Sequence, residues 1–452
     1  MHPYQDEAVQ FALDNPFSAL WMDMGLGKTA TVLTVVRDLL RAKTNKRFLV
    51  VAPLKVATQT WPNEIDDWEH LKDIPFTLIR DGDLAVRTQL LQSKKPLHII
   101  NREMVPWLVD RWAEAKRWPY DAVIVDESSS FKDHNTKRWK ALKRVRKMLT
   151  RMHLLTATPA AESYMGLFAQ YYLLDMGERF GNSIGHFRTK YFDHNEYTKG
   201  YTVKASAKPQ IIEKISNITL VMREEDYLDV SKPHVLKHRL HMEPREQDAY
   251  RKFERTLILS LPDGTEIEAI HAAALSQKLL QAASGAVYDE TGQAKAFHNH
   301  KIEFLKELVE SLDGSPIMVA YWFKSSRERL MKAFPQATLM DRNGKAVGPW
   351  NRGEIPVLLV HPQSAGHGLN MQYGPGHDLA FFDMFWSGEL YQQIIKRLAR
   401  QGQKKVVRVH HLLTDDTHDM VTMAAQESKG DEEKSLKAAI LEIRNRVKGL
   451  KP

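Results

Sequence analysis

Short apolar runs alternate with helical patterns in two separate parts of this chain, and this alternation restricts its possible folds more than any other feature. The first series is FLVVA (48–52), HII (98–100), AVIV (122–125) and HLL (153–155), with helical patterns such as 29–40 between them. The second series is IMVA (317–320), VLLV (357–360), LAFF (379–382) and VVRVH (406–410). Buried parallel strands have such continuous apolar runs, and their alternation with helices indicates sheets covered on both faces. The sequence therefore predicts two α/β blocks.

The remaining segments favour helices. Residues 160–240 are rich in Tyr, Phe, Lys and Arg and have a mostly helical pattern. Residues 241–312 also have helical patterns, interrupted by turn signals at 262–264 and 289–292. At the carboxyl end, residues 435–450 carry apolar side chains at helical spacing, at Leu436, Ile440, Ile443, Val447 and Leu450. We expect this last segment to be a helix that docks on one of the blocks.

Composition excludes several kinds of site. The 452 residues are 43% hydrophobic, which is ample for a core, and the absence of cysteine excludes disulfides, thiolate zinc sites and cysteine nucleophiles. The start MHPYQDEAV has no secretory pattern, and no apolar run approaches the roughly 20 residues that cross a bilayer. We therefore expect a soluble, cytoplasmic protein with no membrane partner. The net charge of +8 suits a polyanionic partner.

The segment MDMGLGKT (22–29) has the pattern of a phosphate-binding loop. It follows an apolar run and precedes a helical pattern, and Gly25 and Gly27 allow its backbone N–H groups to turn toward phosphate oxygens. Lys28 would neutralise the β- and γ-phosphates, and Thr29 would hold Mg²⁺. The full pattern has glycine where this chain has Met22.

The segment AVIVDESSS (122–130) delivers two acids at the end of an apolar run. Asp126 suits a Mg²⁺ partner, and Glu127 suits the group that activates the attacking water. Acid pairs at strand ends are common, so this motif is only moderately specific. The intervening strands fit a sheet in which the phosphate loop and the acid strand are neighbours.

Taken together, the motifs resemble those of superfamily-2 helicases, and more narrowly the Swi/Snf-type DNA translocases. MDMGLGKT is similar to that family's DEMGLGKT, DESS stands where DEAH is usual, and LTATP (155–159) resembles LTGTP. VAPL (51–54) with Trp61, Glu64 and Trp68 resembles the family's second motif. SAGHGLN (364–370) resembles AGG-x-G-[LI]-N, QIIKRLARQGQ (393–403) resembles Q-x-x-x-R-x-x-R-x-G-Q, and PYQ (3–5) resembles the adenine-reading segment. The compact form of HPQSAGHGLN (361–370) and the segment LLQAASGAVYDETG (279–292) resemble the bacteriophage and mobile-element branch, which implies the host cytoplasm if the protein is viral.

The resemblance implies an α/β P-loop fold with two RecA-like parallel-sheet lobes, helical insertions and a C-terminal helix. Lobe 1 would span residues 1–235, with a helical insertion from about 160. Residues 236–452 would hold a helical insertion at about 241–300 and then lobe 2 with its arginine fingers. ATP and Mg²⁺ are the implied cofactors, and ATP would be hydrolysed between the lobes.

The resemblance also assigns roles to individual residues. The implied catalytic residues are Lys28, Asp126, Glu127, Gln393, Arg397 and Arg400. The implied ATP-binding residues are Tyr4, Gln5, Met24, Gly25, Leu26, Gly27, Lys28 and Thr29, with Thr29 and Asp126 at Mg²⁺. The spacing of three between Arg397 and Arg400 would place both arginines on one helical face. Three departures from the family pattern are Ser128, Ser129 and Ala365, and the replacement of histidine by Ser129 leaves open how ATP state is linked to the other motifs.

The implied partner is double-stranded DNA, contacted through its phosphates without regard to sequence. Backbone amides and small hydroxyls at strand ends suit phosphates and carry no base identity. The implied contacts are Pro53, Lys55, Thr156, Thr158, Ser364, Gly366, His367, Gly368 and Asn370. The motor core or an unknown targeting protein would select the target.

Several alternatives stay open at this point. A strand-separating or branch-migrating helicase shares every ATPase motif, and a slow nucleotide-dependent switch shares the phosphate loop. The basic side chains at 137–147 form either a DNA-facing stripe or a solvated face. The histidines at 298, 300, 410 and 411 have no adjacent paired acids or cysteines, which favours ordinary structural histidines over a metal site.

Overall fold

The computed structural model describes residues 1–447 except 81, 115–117, 161–162, 196–199, 260–266, 289–292, 342–343 and 365–368. The chain forms two compact units. The first contains residues 1–228 and 431–452, and the second contains residues 229–430.

A seven-stranded sheet forms the centre of the first unit. Its strands are β1 (Phe17–Met22), β2 (Phe48–Ala52), β3 (Phe76–Ile79), β4 (Leu97–Asn101), β5 (Ala122–Asp126), β6 (Arg151–Thr156) and β9 (Thr219–Met222). They run parallel in the order β3-β4-β2-β5-β6-β1-β9. The remaining pair, β7 (Phe192–His194) and β8 (Tyr201–Val203), is a separate antiparallel hairpin.

Helices cover this sheet. They are α1 (Pro3–Asp14), α2 (Lys28–Arg41), α3 (Trp61–Asp67), α4 (Leu84–Leu91), α5 (Val105–Glu114), α6 (Lys137–Val145), α7 (Met165–Asp175), α8 (Ile184–Tyr191), α9 (Ala207–Ser216) and α10 (Glu224–Tyr227). A π-helical turn, Val56–Thr60, leads into α3, and 3₁₀ turns lie at Arg102–Met104, Ser128–Phe131 and Arg146–Met148.

Successive side chains of the central strands pack alternately into two apolar cores, one on each face of the sheet. On β2, Leu49 and Val51 pack into one apolar cluster, whereas Phe48, Val50 and Ala52 pack into the other. Successive side chains of a strand point to opposite faces, so a run that is apolar at every position requires cover on both sides. This is why the continuous runs in the sequence become central parallel strands.

The second unit is built in the same way around a six-stranded parallel sheet, ordered β10-β17-β16-β13-β15-β14. The strands are β10 (His234–Leu240), β13 (Ile317–Ala320), β14 (Thr338–Leu339), β15 (Val357–Val360), β16 (Asp378–Phe381) and β17 (Arg408–Thr414), with an antiparallel hairpin of β11 (Ala286–Tyr288) and β12 (Ala294–Ala296). The helices are α11 (Pro244–Leu259), α12 (Ile267–Ala283), α13 (His300–Ser311), α14 (Lys324–Ala333), α15 (Val347–Asn351) and α16 (Gly388–Leu398), followed by α17 (His418–Val447).

Helix α17 belongs to both units. Met423 packs in a core cluster of the second unit, whereas Leu436 and Ile440 are fully buried in the core of the first. The expected C-terminal helix therefore exists but begins at His418 rather than at 435. Leu450 lies outside the described residues. Among the described residues, no helix combines the length and apolar character needed to cross a membrane.

The two parallel-sheet α/β blocks predicted from the sequence are confirmed. Sequence reasoning missed β3, β14 and all six strands from β7 to β12. It treated 160–240 as mostly helical, although β7, β8, β9 and β10 lie there. The division into 1–235 and 236–452 differs from the structural grouping, which changes unit after Leu228 and returns residues 431–452 to the first unit. The turn signals at 262–264 and 289–292 lie outside the described residues.

A buried ion pair anchors the start of α17 in the second unit. Lys301 Nζ lies 2.6 Å from Asp419 Oδ2, and both side chains are fully buried. Lys301 also donates to the carbonyl of Phe382 at 3.0 Å, and Asp419 accepts from the Thr414 N–H at 3.0 Å. The pair therefore joins α13, α17 and the ends of β16 and β17.

We predict that Lys301→Met destabilises the second unit by about 3–5 kcal/mol, because it leaves the carboxylate of Asp419 buried without its cation. Chemical unfolding followed by tryptophan fluorescence measures the change. The matched control is Lys306→Met, an exposed lysine on the same helix, which should change stability by less than about 0.5 kcal/mol. Equal stability of the two variants would contradict the structural role of the pair.

Candidate nucleotide site

The phosphate-loop candidate joins β1 to the start of α2. Gly25 and Gly27 have φ angles of 92° and 74°, in the left-handed region where a side chain is strained. A Cβ on Gly27 would lie 2.2 Å from Nε2 of Gln5, so a larger residue would have to displace the amide end of that side chain. Helix α2 begins at Lys28 and directs its first N–H groups toward this loop. The sequence thus forms an anion-binding turn at a helix N-terminus.

The amino-terminal helix borders this loop. Gln5 donates from Nε2 to the carbonyl of Leu26 at 3.2 Å, and its Oε1 accepts from the His2 N–H at 2.9 Å. The ring of Tyr4 lies 4.8 Å from that of Tyr227, measured between ring centroids. The two residues predicted to read adenine are therefore next to the loop, and Tyr227 adds an aromatic ring that sequence reasoning did not select.

Lys28 lies at the centre of the loop. Its Nζ donates to the carbonyls of Met22 at 2.8 Å and Asp23 at 3.2 Å. Burial lowers the pKa of Lys28, while the negative charges of Glu127, Asp126 and Asp23 act in the opposite direction. The ammonium is thus held between loop carbonyls and carboxylates, where it suits a polyphosphate.

The acid pair follows β5. Asp126 accepts from Trp61 Nε1 at 2.9 Å and from the Glu127 N–H at 3.0 Å, and both acids are buried. Glu127 has a φ of 49°, a strained conformation for a residue with a side chain. The expectation that β1 and β5 are neighbours is wrong, because β6 lies between them. The LTATP turn therefore separates the phosphate loop from the acids.

A serine of DESS links the acid turn to the LTATP turn. Ser128 donates from its hydroxyl to Gln170 Oε1 at 3.0 Å, and Gln170 Nε2 donates to the carbonyl of Pro159 at 3.0 Å. The hydroxyl of Ser129 is buried and has no hydrogen-bond partner among the described residues. In this structure the hydrogen bonds that join the acid turn to the LTATP turn therefore run through Ser128, and how ATP state is linked through Ser129 stays open.

The predicted DNA contacts of the first unit lie at strand ends, but most are buried. Thr156 and Thr158 are 0% and 4% exposed, and the Thr156 hydroxyl accepts from the Thr158 N–H at 3.0 Å. Pro53 is buried, and Lys55 is half-buried. Of this set, Lys55 has the most accessible polar side chain.

The second unit carries the remaining predicted residues. Arg397 and Gln393 are buried on α16, where Arg397 donates to the carbonyl of Leu369 at 3.3 Å and Gln393 donates to Glu389 at 3.2 Å. Helix α16 ends at Leu398, so the expectation that Arg397 and Arg400 share a helical face is wrong.

The SAGHGLN segment is only partly described. Ser364 is half-buried and Asn370 is exposed, and the carbonyl of Asn370 accepts from Asn351 Nδ2 at 2.8 Å. Gly366, His367 and Gly368 lie outside the described residues. The contact between Arg397 and Leu369 ties this segment to α16.

Two further residues meet the phosphate loop without a sequence signal. The Glu224 N–H donates to Asp23 Oδ2 at 3.0 Å, and Lys437 Nζ donates to Asp23 Oδ1 at 2.7 Å across 414 positions of sequence. Asp23 was visible within the loop, but only folding brings Glu224 and Lys437 to it.

The donor set near the loop is compatible with Mg²⁺. The hydroxyl of Thr29, the second residue of α2, and the carboxylate of Asp126, the last residue of β5, supply only oxygen, which this ion prefers. No cluster of three or more His, Cys, Asp or Glu side chains able to hold a metal occurs within the described part of the chain.

A glycine turn at a helix N-terminus, a lysine among its carbonyls and two buried acids on the same parallel sheet define a P-loop nucleotide-hydrolysing enzyme. The protein-family model for the SNF2-related domain matches residues 4–296 of the sequence. Protein p41 of Acyrthosiphon pisum secondary endosymbiont phage 1 is 35% identical, covering 94% of this chain and 95% of that protein. The chain therefore belongs to the SNF2-related family, and it is an ATP-dependent, helicase-like enzyme that resembles a phage relative.

Similarity to other relatives is lower. The uncharacterized ATP-dependent helicase YqhH of Bacillus subtilis is 22% identical, covering 92% of this chain and 75% of that protein. Chromodomain-helicase-DNA-binding protein 8 of Danio rerio is 21% identical and covers 93% of this chain. The chain spans only 18% of the length of that zebrafish protein.

We predict that Glu127→Gln keeps ATP bound but nearly stops turnover, because it would remove the carboxylate expected to activate water and leave the loop unchanged. Lys28→Ala should abolish hydrolysis by removing the cation of the loop. Phosphate release and binding of a fluorescent ATP analogue measure the two effects, with the exposed Lys94→Ala as a control that should match the native protein. Normal hydrolysis by Glu127→Gln would show that another group is the base.

Proposed function

We propose that the protein is an ATP-dependent translocase on double-stranded DNA that remodels DNA or protein–DNA complexes. The observation that carries the proposal is the loop of Lys28 beside the buried acids Asp126 and Glu127 in a chain of the SNF2-related family. Such a translocase moves along the duplex without necessarily separating the two DNA strands.

The chemistry assigned to the first unit follows from its contacts. The loop N–H groups and Lys28 would hold the phosphates of ATP, while Tyr4 and Gln5 would lie near the base. Thr29 and Asp126 would hold Mg²⁺, which neutralises phosphate charge when bound. The hydrogen bonds that Asp126 receives from Trp61 and from the Glu127 N–H fix the acid turn, so Glu127 is positioned to accept a proton from the attacking water.

Arg397 and Arg400 are the proposed arginine fingers. An arginine stabilises charge that spreads over the transferring phosphoryl group, an effect of about 10³-fold or more on rate in related chemistry. Arg397 is held by the carbonyl of Leu369, at the end of the SAGHGLN segment. A change in that segment would therefore reach Arg397 directly.

Double-stranded DNA as the track is supported by the Swi/Snf-type motif set and by the net charge of +8. The names of two relatives, a helicase and a helicase-DNA-binding protein, agree with a nucleic-acid substrate. Contacts made through phosphates position a protein on DNA without reading bases, so binding should not depend on sequence. A slow nucleotide switch would have no need of the two arginines.

We predict that Arg400→Ala and Arg397→Ala lower turnover by about 10³-fold while ATP affinity changes far less, because the arginines act mainly on the transferring phosphoryl group. Comparison of kcat with nucleotide Kd in each variant separates the two effects. Lys404→Ala, an exposed cation shortly after α16, is the matched control and should leave turnover unchanged. Native turnover in both arginine variants would contradict their assignment.

We predict that duplex DNA stimulates ATP hydrolysis more than single-stranded DNA or RNA does. Binding should weaken steeply with salt, because each neutralised phosphate releases counterion and contributes about −0.9 to the log–log slope. Hydrolysis assays with each nucleic acid over a salt series measure both effects.

Movement along DNA can be measured by displacement of a third strand from duplex DNA. The protein should displace a triplex-forming strand from duplex DNA in the presence of ATP, and Lys28→Ala should not. Greater stimulation by single strands, together with efficient unwinding of a tailed duplex, would favour the strand-separating helicase instead. Hydrolysis that no nucleic acid stimulates would favour the nucleotide switch.

A further inference from the structure

Helix α17 brings a buried lysine to the phosphate loop. Lys437 Nζ donates to Asp23 Oδ1 at 2.7 Å and to the carbonyl of Ala157 at 2.5 Å, and it lies 3.1 Å from Glu433 Oε1. The Lys437 side chain is 9% exposed. Its ammonium therefore has three oxygen partners inside the first unit.

Two of these partners lie at the ends of neighbouring strands. Asp23 directly follows β1 and Ala157 directly follows β6, and these strands pair in parallel with Trp21 opposite Thr156. Asp23 starts the phosphate loop, whereas Ala157 lies within the LTATP turn. The ammonium of Lys437 thus bridges the phosphate loop and the LTATP turn. A movement of one turn away from the other would break this bridge.

The lysine also balances charge where a polyphosphate would bind. Burial raises the pKa of Asp23, but Lys437, the Glu224 N–H and Lys28 outweigh it, so the pKa lies below its usual value. Asp23 is therefore a carboxylate beside the loop, and a like charge would repel ATP. Lys437 is the cation that meets this carboxylate directly.

Docking of the helix does not require this charge. Leu436 and Ile440 are fully buried in the first unit's core, and Lys208 pairs with Glu432 at the surface. Replacing a whole buried ion pair by apolar side chains is often neutral for stability, so docking of α17 does not depend on having a pair here, although removing Lys437 alone would leave Asp23 uncompensated. The ammonium at position 437 thus has a role that packing alone does not explain.

We propose that Lys437 is a positioning residue of the nucleotide site, which neutralises Asp23 and holds the phosphate loop to the LTATP turn. Helix α17 is then part of the ATPase machinery and not only a C-terminal cover. This inference rests on the proposed function, because it assumes that the loop binds ATP.

The test is a set of variants of the full chain, assayed for steady-state ATP hydrolysis and for thermal stability. Lys437→Met removes the charge and keeps the length, and Lys437→Arg keeps the charge. Lys437→Met combined with Asp23→Asn removes both charges. The matched control is Lys434→Met, a lysine on the same helix whose side chain is 82% exposed.

We expect Lys437→Met to raise the KM for ATP about tenfold, with a smaller effect on kcat, since a hydrogen bond to a charged group is typically worth a factor of this size. Adding Asp23→Asn should restore most of the loss, because the repelling carboxylate is then absent. Lys437→Arg should remain near native, and Lys434→Met should match the native protein. Rescue by Asp23→Asn while Tm is the same in the single and double variants would separate an effect on nucleotide binding from a loss of helix docking.

Two results would overturn the inference: a native KM in Lys437→Met, or a loss of activity that tracks a lower Tm and is not rescued by Asp23→Asn. If Lys437→Met does not fold, hydrogen exchange of the native chain decides. Added ADP should slow amide exchange at residues 431–440, and unchanged exchange there contradicts the link. A native protein that neither binds nor hydrolyses ATP contradicts the proposed function itself, which separates the two failures.

Discussion

The parallel pairing of β5, β6 and β1 is the constraint on which the nucleotide site depends. Parallel strands in register bring their carboxyl ends to one edge of the sheet, and each strand here is followed by a turn that carries polar groups. The edge therefore collects the acid turn, the LTATP turn and the phosphate loop in that order. The continuous apolar character of the strands fixes this edge, because both faces of the sheet are buried.

The polar groups at this edge of the sheet include several carboxylates, and their negative charges have to be compensated. Asp126 and Glu127 are buried, and their charges and that of Asp23 all act on Lys28. Isolated carboxylates in buried surroundings are unfavourable. The negative charge of these carboxylates is compensated by N–H donors from Trp61 and Glu224 and by the ammonium groups of Lys28 and Lys437. Neutral links such as the one from Ser128 through Gln170 to Pro159 then join the turns without adding charge.

Helix α17 takes part in this arrangement at both of its ends. Near its start, Asp419 forms a fully buried pair with Lys301 in the second unit. Further along, Lys437 meets Asp23 in the first unit. Each pair needs both partners, since removal of one leaves a buried charge without compensation. The same helix thus carries an essential charge into the core of each unit.

The sequence by itself determined the two α/β blocks, the glycine turn and the acid pair, because these depend on local patterns: continuous apolar runs, glycines at positive φ and polar residues directly after a strand. It also determined the family through motifs in order along the chain. Only the tertiary structure decided that β6 separates the loop from the acids, that Arg400 lies beyond the end of α16, and that residues 431–452 return to the first unit. It alone brought Glu224 and Lys437 to Asp23. Strand order and long-range ion pairs depend on how distant segments pack, and a lysine that will be buried carries the same local pattern as Lys434, which stays in solvent.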